Sequence, residues 1–422
     1  MQFRSRRTFG AVSVVVGLIF LLLVGVAVAQ YAQTTQPVTH VAADFDFYRP
    51  PADQTPLPMI EQIDVKNIIL MIGDGMGPAQ VTAARILGAG PDGRLHMDRL
   101  PVTGAMTTHS ANALVTCSAA AATALATGQK TNNGMLSLLP DGTPLRTILE
   151  AARDEKNMAT GLVTVCTPAH ATPAAFAAHV SSRGHHAEIA KQILDARLNV
   201  LFASIGLAEP PTEGEVSERR AALWLAENAP SDGCQLATRR QQLAALNADR
   251  VVGLFRLEEP QFRDVEPTLA EMTQKAIQLL ARDPDGFFLM VEGSQIDWAC
   301  HAGDGPDAVR QTLLFDQAVQ VAADFALTHQ DTLVVVTADH ETGGMVIAGG
   351  DRSGQSLTLK WPDKPAVGSL SHSGVTVPIY AFGPEAIRFT GLHDNADLPR
   401  LFASLLDIDQ LQRAPVAQPA TP

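Results

Sequence analysis

Three apolar runs in this chain end in residues that can bind a cation. Residues 68–72 lead into Gly73-Asp74-Gly75-Met76-Gly77, residues 287–291 into Glu292-Gly293, and residues 333–336 into Thr337-Ala338-Asp339-His340. One aspartate after a strand is an ordinary turn residue. Three such endings, with glycines allowing close backbone approach, point to a cluster of metal-binding carboxylates. Asp297 and His301 stand four apart, on one face of a helical turn just beyond Glu292. An oxygen and an imidazole together suit zinc, although in isolation the pair would read as a surface i,i+4 contact. Asp339 and His340, adjacent at a strand end, can hold one ion or divide between two. His372, within Ser371-His372-Ser373-Gly374, would by itself be an ordinary loop histidine.

A hydroxyl suited to nucleophilic attack comes from Ser118, at the start of Ser-Ala-Ala-Ala-Ala-Thr-Ala-Leu-Ala-Thr before Gly128. Alanine favours a helix and glycine ends one, so the composition predicts a helix over 118–127. Its first turn offers free N–H groups and partial positive charge to an anion. An N-capping serine would have the same signature. Further along, Thr167-Pro168-Ala169-His170-Ala171-Thr172-Pro173 leads to His179 and Arg183. Thr172 offers a hard oxygen to magnesium, and Arg183 can hold a phosphate through two parallel hydrogen bonds. Taken singly, Arg183 would be a solvated charge and His179 a packing or hydrogen-bonding residue. His185 and His186 read as surface residues.

These residues need a scaffold, and apolar runs alternating with amphipathic stretches supply one. Strands are expected over 67–72, 159–165, 200–203, 251–255, 286–291, 332–337 and 378–382. Helices are expected over 78–87, 118–127, 145–156, 187–195, 268–281, 307–327 and 395–406. The alternation predicts a three-layer α/β/α fold with a central, mostly parallel β-sheet, whose ligands would lie beyond the carboxyl ends of the strands. Residues 65–412 read as one domain with surface insertions near 205–250 and 349–370. Residues 30–64 read as a solvated polar arm, and 413–422 as a disordered Pro/Ala-rich tail.

The 422 residues are 46% hydrophobic and 18% charged, ample for a large core, with a net charge of −13. So acidic a surface argues against nucleic acid or an anionic membrane as a specific partner. Any phosphate site must therefore create its own positive potential. Residues 1–29 read as an export signal: Arg4, Arg6 and Arg7 precede an apolar run from Ala11 that closes on Ala27-Val28-Ala29. Ser5-Arg6-Arg7-Thr8-Phe9 resembles a twin-arginine signal. Cleavage would give a periplasmic or extracellular protein, and retention of the leader a membrane anchor. Of the four cysteines, Cys117, Cys166, Cys234 and Cys300, none has zinc-clip spacing, and buried free thiols are expected.

Taken in order from Gly73 to His372, these motifs resemble those of alkaline phosphatases. They are the Asp74 turn, the Ser118 helix, His170-Ala171-Thr172-Pro173 through Arg183, Glu292-Gly293-Ser294-Gln295-Ile296-Asp297, Thr337-Ala338-Asp339-His340-Glu341-Thr342-Gly343-Gly344 and His372-Ser373-Gly374. The resemblance implies hydrolysis of phosphate monoesters through a phosphoserine on Ser118. It assigns one zinc to Asp297, His301 and His372, a second to Asp74, Asp339 and His340, and a magnesium to Asp74, Thr172 and Glu292 with His170 close by. Arg183 would hold the phosphoryl oxygens, and Trp298 would line the substrate entrance or simply pack. A histidine at 170 would also let the third site take zinc. Homodimers occur among such proteins. Cys117 replaces an aspartate common before the nucleophile, so a more mobile Arg183 is expected. A phosphodiesterase of the same superfamily and a non-catalytic phosphate- or metal-binding envelope protein are the alternatives. Cys166-Thr167-Pro168-Ala169-His170 ends in histidine, which excludes the sulfatase motif.

Overall fold

A strand apolar at every position can bury both faces, as a parallel sheet covered by helices requires. In the computed structural model, which describes residues 38–60, 63–207, 213–258, 265–362, 371–409 and 411, the apolar runs form the middle of one large sheet. Its strands are β1 (Asn67–Gly73), β2 (Val102–Thr107), β3 (Ala159–Thr164), β4 (Val200–Ser204), β5 (Gln235–Ala237), β6 (Val251–Phe255), β7 (Phe287–Gly293), β8 (Thr332–Thr337), β9 (Val377–Phe382) and β10 (Gly391–Asp394). Their spatial order is β10-β2-β9-β8-β1-β7-β3-β4-β6-β5. Strand β9 runs antiparallel to both its neighbours, and the other pairings are parallel. Every residue of β1, β7 and β8 is buried. The expected α/β fold is therefore present, and every expected strand is there to within two residues. β2, β5 and β10 carry no comparable apolar run and were not expected.

Helix ends follow local chemistry. The helix expected from 145 begins at Ile148, because Thr147 and Glu150 close a reciprocal capping box. Thr268 and Glu271 do the same for Leu269–Leu280. Glu150 has a second partner: His179 Nε2 lies 3.0 Å from its Oε1, while His179 Nδ1 lies 3.1 Å from Ser137 O. His179 is thus a hydrogen-bonding residue, as expected. Burial opposes its charge, yet Glu150 raises its pKa overall. At Glu150 burial works the other way, but His179 and the hydrogen bonds with Thr147 together lower that carboxyl. The imidazolium contribution to stability is whole below about pH 6.5 and is lost as pH rises through the raised value. The carboxylate contribution is whole above about pH 4.5 and is lost as pH falls through the lowered one. His179→Gln should therefore lower the thermal midpoint more at pH 6 than at pH 9, by up to about 1 kcal/mol of stability. Calorimetric melts of both proteins at the two pH values read this directly, and an equal loss at both would refute it.

The polar segment before Asn67 is not a solvated arm where it is described. Val38–Ala42 pairs antiparallel with Ser356–Lys360, which pairs with Val346–Gly350. Val41, Tyr48 and Trp361 are buried beneath this small sheet. Two stretches that read as loops thus cover each other and pack on the long helix Gly305–Thr328. Asp316 on that helix is the anchor. Its carboxylate accepts from Tyr48 Oη (2.7 Å), His96 N (2.8 Å) and Met97 N (2.9 Å), all buried. Asp316→Ala leaves three donors without an acceptor and should cost on the order of 3 kcal/mol. Urea unfolding measures that loss, and a variant as stable as the parent would contradict it.

Within 205–250, Glu213–Asn228 is a helix and β5 extends the sheet at its edge, so part of this excursion is structural. His186 is also buried, against the surface expectation, because it opens the helix His186–Asp195 that packs on Glu213–Asn228. His185 is exposed. The export leader, residues 363–370 and the tail from 413 lie outside the described residues. Among the described residues, no helix is long and apolar enough to cross a membrane.

Candidate active site

Parallel register aligns the chemistry. Ile72 of β1 pairs with Glu292 of β7 and with Thr337 of β8, while Thr164 of β3 pairs with Glu292. The carboxyl ends of four adjacent strands therefore bring Asp74, Glu292, Asp339, His340 and Thr164 to one edge of the sheet. The backbone beyond β1 must turn sharply beneath them. Gly75 has φ +74°, and a Cβ there would stand 2.8 Å from Thr342 Oγ1 and 2.9 Å from Asp297 Cα. Only glycine suits both the conformation and the space.

Three groups of donors converge at this edge. Asp297, His301 and His372 bring ligand atoms within 4.8 Å of one another. His301 Nε2 and His372 Nε2 lie 3.3 and 3.5 Å from Asp297 Oδ1, and 3.1 Å from each other. His372 Nδ1 donates to Thr116 O at 2.9 Å, so its Nε2 carries a lone pair that faces the second ring. Asp74, Asp297 and His340 form another such group. Asp339 belongs beside it, its Oδ2 3.1 Å from His340 Nε2 while Oδ1 accepts from Gly75 N and His340 N. The third group is Cys166, His170 and Glu292.

The polar atoms left over fit cations. Both carboxylate oxygens of Asp74, Glu292 Oε1, Thr172 Oγ1 and His170 Nδ1 are buried and make no hydrogen bond among the described residues. Orphaned oxygens in such number are costly unless an ion occupies the space between them. Burial, and then the charges of Asp339, Asp297 and Glu292, push Asp74 well above the carboxylate range. Burial raises Glu292 to about 7. Burial also lowers His372 to about 4, helped by His340, and lowers His170 to about 4, helped by Arg183. Both rings are then neutral near neutral pH, the form that ligates metals. Asp297 is also buried, but its hydrogen bond from His301 and the nearby histidine charges keep it below the usual range.

Ser118 faces this cluster. The helix is Ser118–Thr127 as expected, but its N-cap is Cys117, and Ser118 occupies the first helical position. The N-cap reading of the serine is therefore excluded. Its Oγ lies 3.3 Å from His340 Nε2 in a buried setting. Arg183 Nη2 lies 2.9 Å from His170 Nε2. Cys117 approaches the arginine indirectly: its Sγ accepts from Gly134 N at 3.1 Å, and Gly134 O accepts from Arg183 N at 2.7 Å. The half-buried Trp298 ring packs edge-on against His170, with centroids 5.9 Å apart. All four cysteines are free, and Cys166, Cys234 and Cys300 are buried.

Several supporting residues escape the motif reading. Thr342 donates to Asp297 Oδ1 at 2.5 Å and stands 3.2 Å from His340 Nδ1, tying two donor groups together. Thr164 donates to Glu292 Oε2 at 2.5 Å, and Cys166 Sγ donates to the same oxygen at 3.4 Å. That leaves Glu292 Oε1 directed elsewhere. Thr342 lies within a recognised motif and could have been suspected there. Nothing in the spacing of Thr164 and Cys166 signals their part, which depends on β3 lying beside β7.

The profile of the alkaline phosphatase family matches residues 65–367 of this chain. The streptomycin-6-phosphate phosphatase of Streptomyces griseus is 36% identical over 406 residues, spanning 79% of this chain and 88% of that protein. The alkaline phosphatase of Escherichia coli strain K12 is 34% identical over 401 residues, spanning 79% and 84%. Among solved structures, the alkaline phosphatase of the Antarctic bacterium TAB5 superposes with a TM-score of 0.69 at 29% identity, covering 82% of this chain and all of that one. A variant of that enzyme with Mg bound in its M3 site gives 0.67 at 28% identity.

Proposed function

The chain belongs to the alkaline phosphatase family, and from that premise we propose that it hydrolyses phosphate monoesters at alkaline pH through a phosphoserine on Ser118. It is a phosphatase, and small phosphate monoesters are the substrate class its family supports. One observation carries the serine route: Ser118 Oγ, at the first turn of a helix, lies beside His340 in a cluster of buried carboxylates, several of whose oxygens have no hydrogen-bond partner among the described residues.

Asp297, His301 and His372 would hold one zinc, and Asp74, Asp339 and His340 the second. Asp74, Thr172 and Glu292 would hold magnesium, with His170 and Cys166 near enough for zinc to compete there. When bound, such cations stabilise the entering and leaving oxygens of an in-line displacement and lower the proton affinity of a nearby hydroxyl. Ser118 Oγ loses its proton and bonds to phosphorus as the bond from phosphorus to the alcohol oxygen breaks. The alcohol departs with a proton. Water then attacks the phosphoserine, phosphate leaves, and Ser118 regains its hydrogen. Arg183 and the free N–H groups of the Ser118 helix balance charge on the phosphoryl oxygens. Trp298 would border the alcohol. We read the leader as directing export to the periplasm or beyond.

The test compares p-nitrophenyl phosphate, bis(p-nitrophenyl) phosphate and streptomycin 6-phosphate at alkaline pH, with elemental analysis of the same sample. The third compound is included because the Streptomyces griseus relative is named for it. Monoesters should be cleaved far faster than the diester, by protein carrying two zincs and one magnesium. Preference for the diester would turn the assignment to a phosphodiesterase. Bound metal without turnover of any of the three would turn it to a binding protein.

A further inference from the structure

We propose that a cavity behind the metal-ligand edge is a separate binding site for a monocarboxylate with an apolar body, held by Arg310. The cavity measures about 370 Å³ and lies between the long helix Gly305–Thr328, the start of Leu269–Leu280 and the turn after β7. It is distinct from the catalytic cluster: Gly293 and Gln295 form part of its wall, whereas Ser118, Glu292 and Asp297 do not line it. The amide nitrogen of Gln295 is committed there, donating to Val165 O at 3.0 Å and to Leu257 O at 3.1 Å. This volume is within the range of small-ligand pockets.

Arg310 is the group without a purpose in the fold. Arg85, Arg146 and Arg250, half-buried like it, each meet a carboxylate at 2.5, 2.5 and 2.7 Å. Arg310 meets no carboxylate or carbonyl among the described residues. Its guanidinium carbon lies 4.8 Å from the centroid of Phe47, and its Nε is buried without a hydrogen-bond partner. A half-buried guanidinium held over a ring, its Nε out of reach of water, retains strong donors and a full charge. An anion in the cavity would satisfy both, in a setting where charge-assisted bonds are strong.

The remaining lining decides the rest of the ligand. Phe47, Leu257, Leu269, Leu314 and Phe315 present carbon, so an apolar body is favoured. Arg240 and Glu266 are also in the lining; Arg240 is paired with Glu271 at 2.5 Å, and Glu266 disfavours a second negative charge. That combination selects a medium-chain carboxylate over a phosphate monoester, which distinguishes this site from the catalytic one. Phe47 comes from the segment that the small sheet and Asp316 pin down, so the wall against which Arg310 rests depends on that docking.

Octanoate is the probe, titrated calorimetrically into the full, metal-loaded protein with and without saturating inorganic phosphate. Binding should be saturable at one octanoate per chain and unaffected by phosphate. Arg310→Met should weaken it at least about tenfold while leaving phosphatase turnover unchanged. Leu314→Trp, which fills the cavity and keeps the arginine, should weaken it as much. Octanol, with the tail and no charge, should bind at least about tenfold more weakly than octanoate. Absence of saturable binding, displacement by phosphate, equal affinity for octanol, or parental affinity in both variants would overturn the proposal.

Discussion

Ser118→Ala is expected to lower kcat/KM for p-nitrophenyl phosphate by about 1,000-fold or more while leaving the fold and the metal content intact. A nucleophile that forms a covalent intermediate has no substitute within reach, so its loss removes the whole two-step route. The change is structurally small. Ser118 is buried at the head of a helix that continues Ala119-Ala120-Ala121-Ala122, and alanine is the best helix former. Its hydroxyl contacts His340 Nε2 and not a backbone group of the helix, so alanine forfeits no cap. Thermal midpoint and elemental analysis, measured on the same preparation, separate chemistry from folding. Cys117→Ala is the companion variant and should keep most of the activity, since Cys117 Sγ is engaged with Gly134 N. Substantial turnover in Ser118→Ala, or abolition in Cys117→Ala alone, would defeat the serine mechanism.

Chelation should have the second large effect, reducing activity to background and lowering stability together. Asp74, Glu292, Asp297 and Asp339 are all buried and lie close enough to disturb one another's protonation. Without cations they face mutual repulsion or must take up protons, as the high Asp74 and the Glu292 value of about 7 indicate. A cation held when free metal exceeds its dissociation constant about 1,000-fold contributes about 4 kcal/mol to stability. Removing it should therefore shift the thermal midpoint by many degrees. Calorimetry before and after chelator, then after zinc and magnesium are returned, tests both effects in one series. Activity and midpoint that ignore the chelator would contradict the metal assignment.

Much of this was legible before any coordinates, for reasons that are local. The runs at 68–72, 287–291 and 333–336 are apolar throughout, which marks strands buried on both faces. Alanine in series and a closing glycine mark the Ser118 helix. Asp297 and His301 share a helical face because of a period that any sequence shows. The order of the motifs carried the family resemblance. What remained hidden is non-local. β2 and β10 have no patterning of their own and are strands because β9 and its neighbours offer edges to pair with. Val38–Ala42 reads as polar arm because its partner, Ser356–Lys360, lies more than three hundred residues on.

The same division holds at the site. Which side chains could ligate a cation or attack phosphorus was readable along the chain, since that depends on chemical type and short-range spacing. Packing alone settled that Thr342 links Asp297 to His340, that Thr164 and Cys166 hold one oxygen of Glu292, and that Arg310 sits over Phe47 with no carboxylate partner among the described residues. Apart from Thr342 and His340, which are two residues apart, those contacts join residues 45 to 263 positions apart, and no periodicity along a chain encodes them. They follow from which strands and helices pack side by side, and the burial energy of the whole core sets that arrangement.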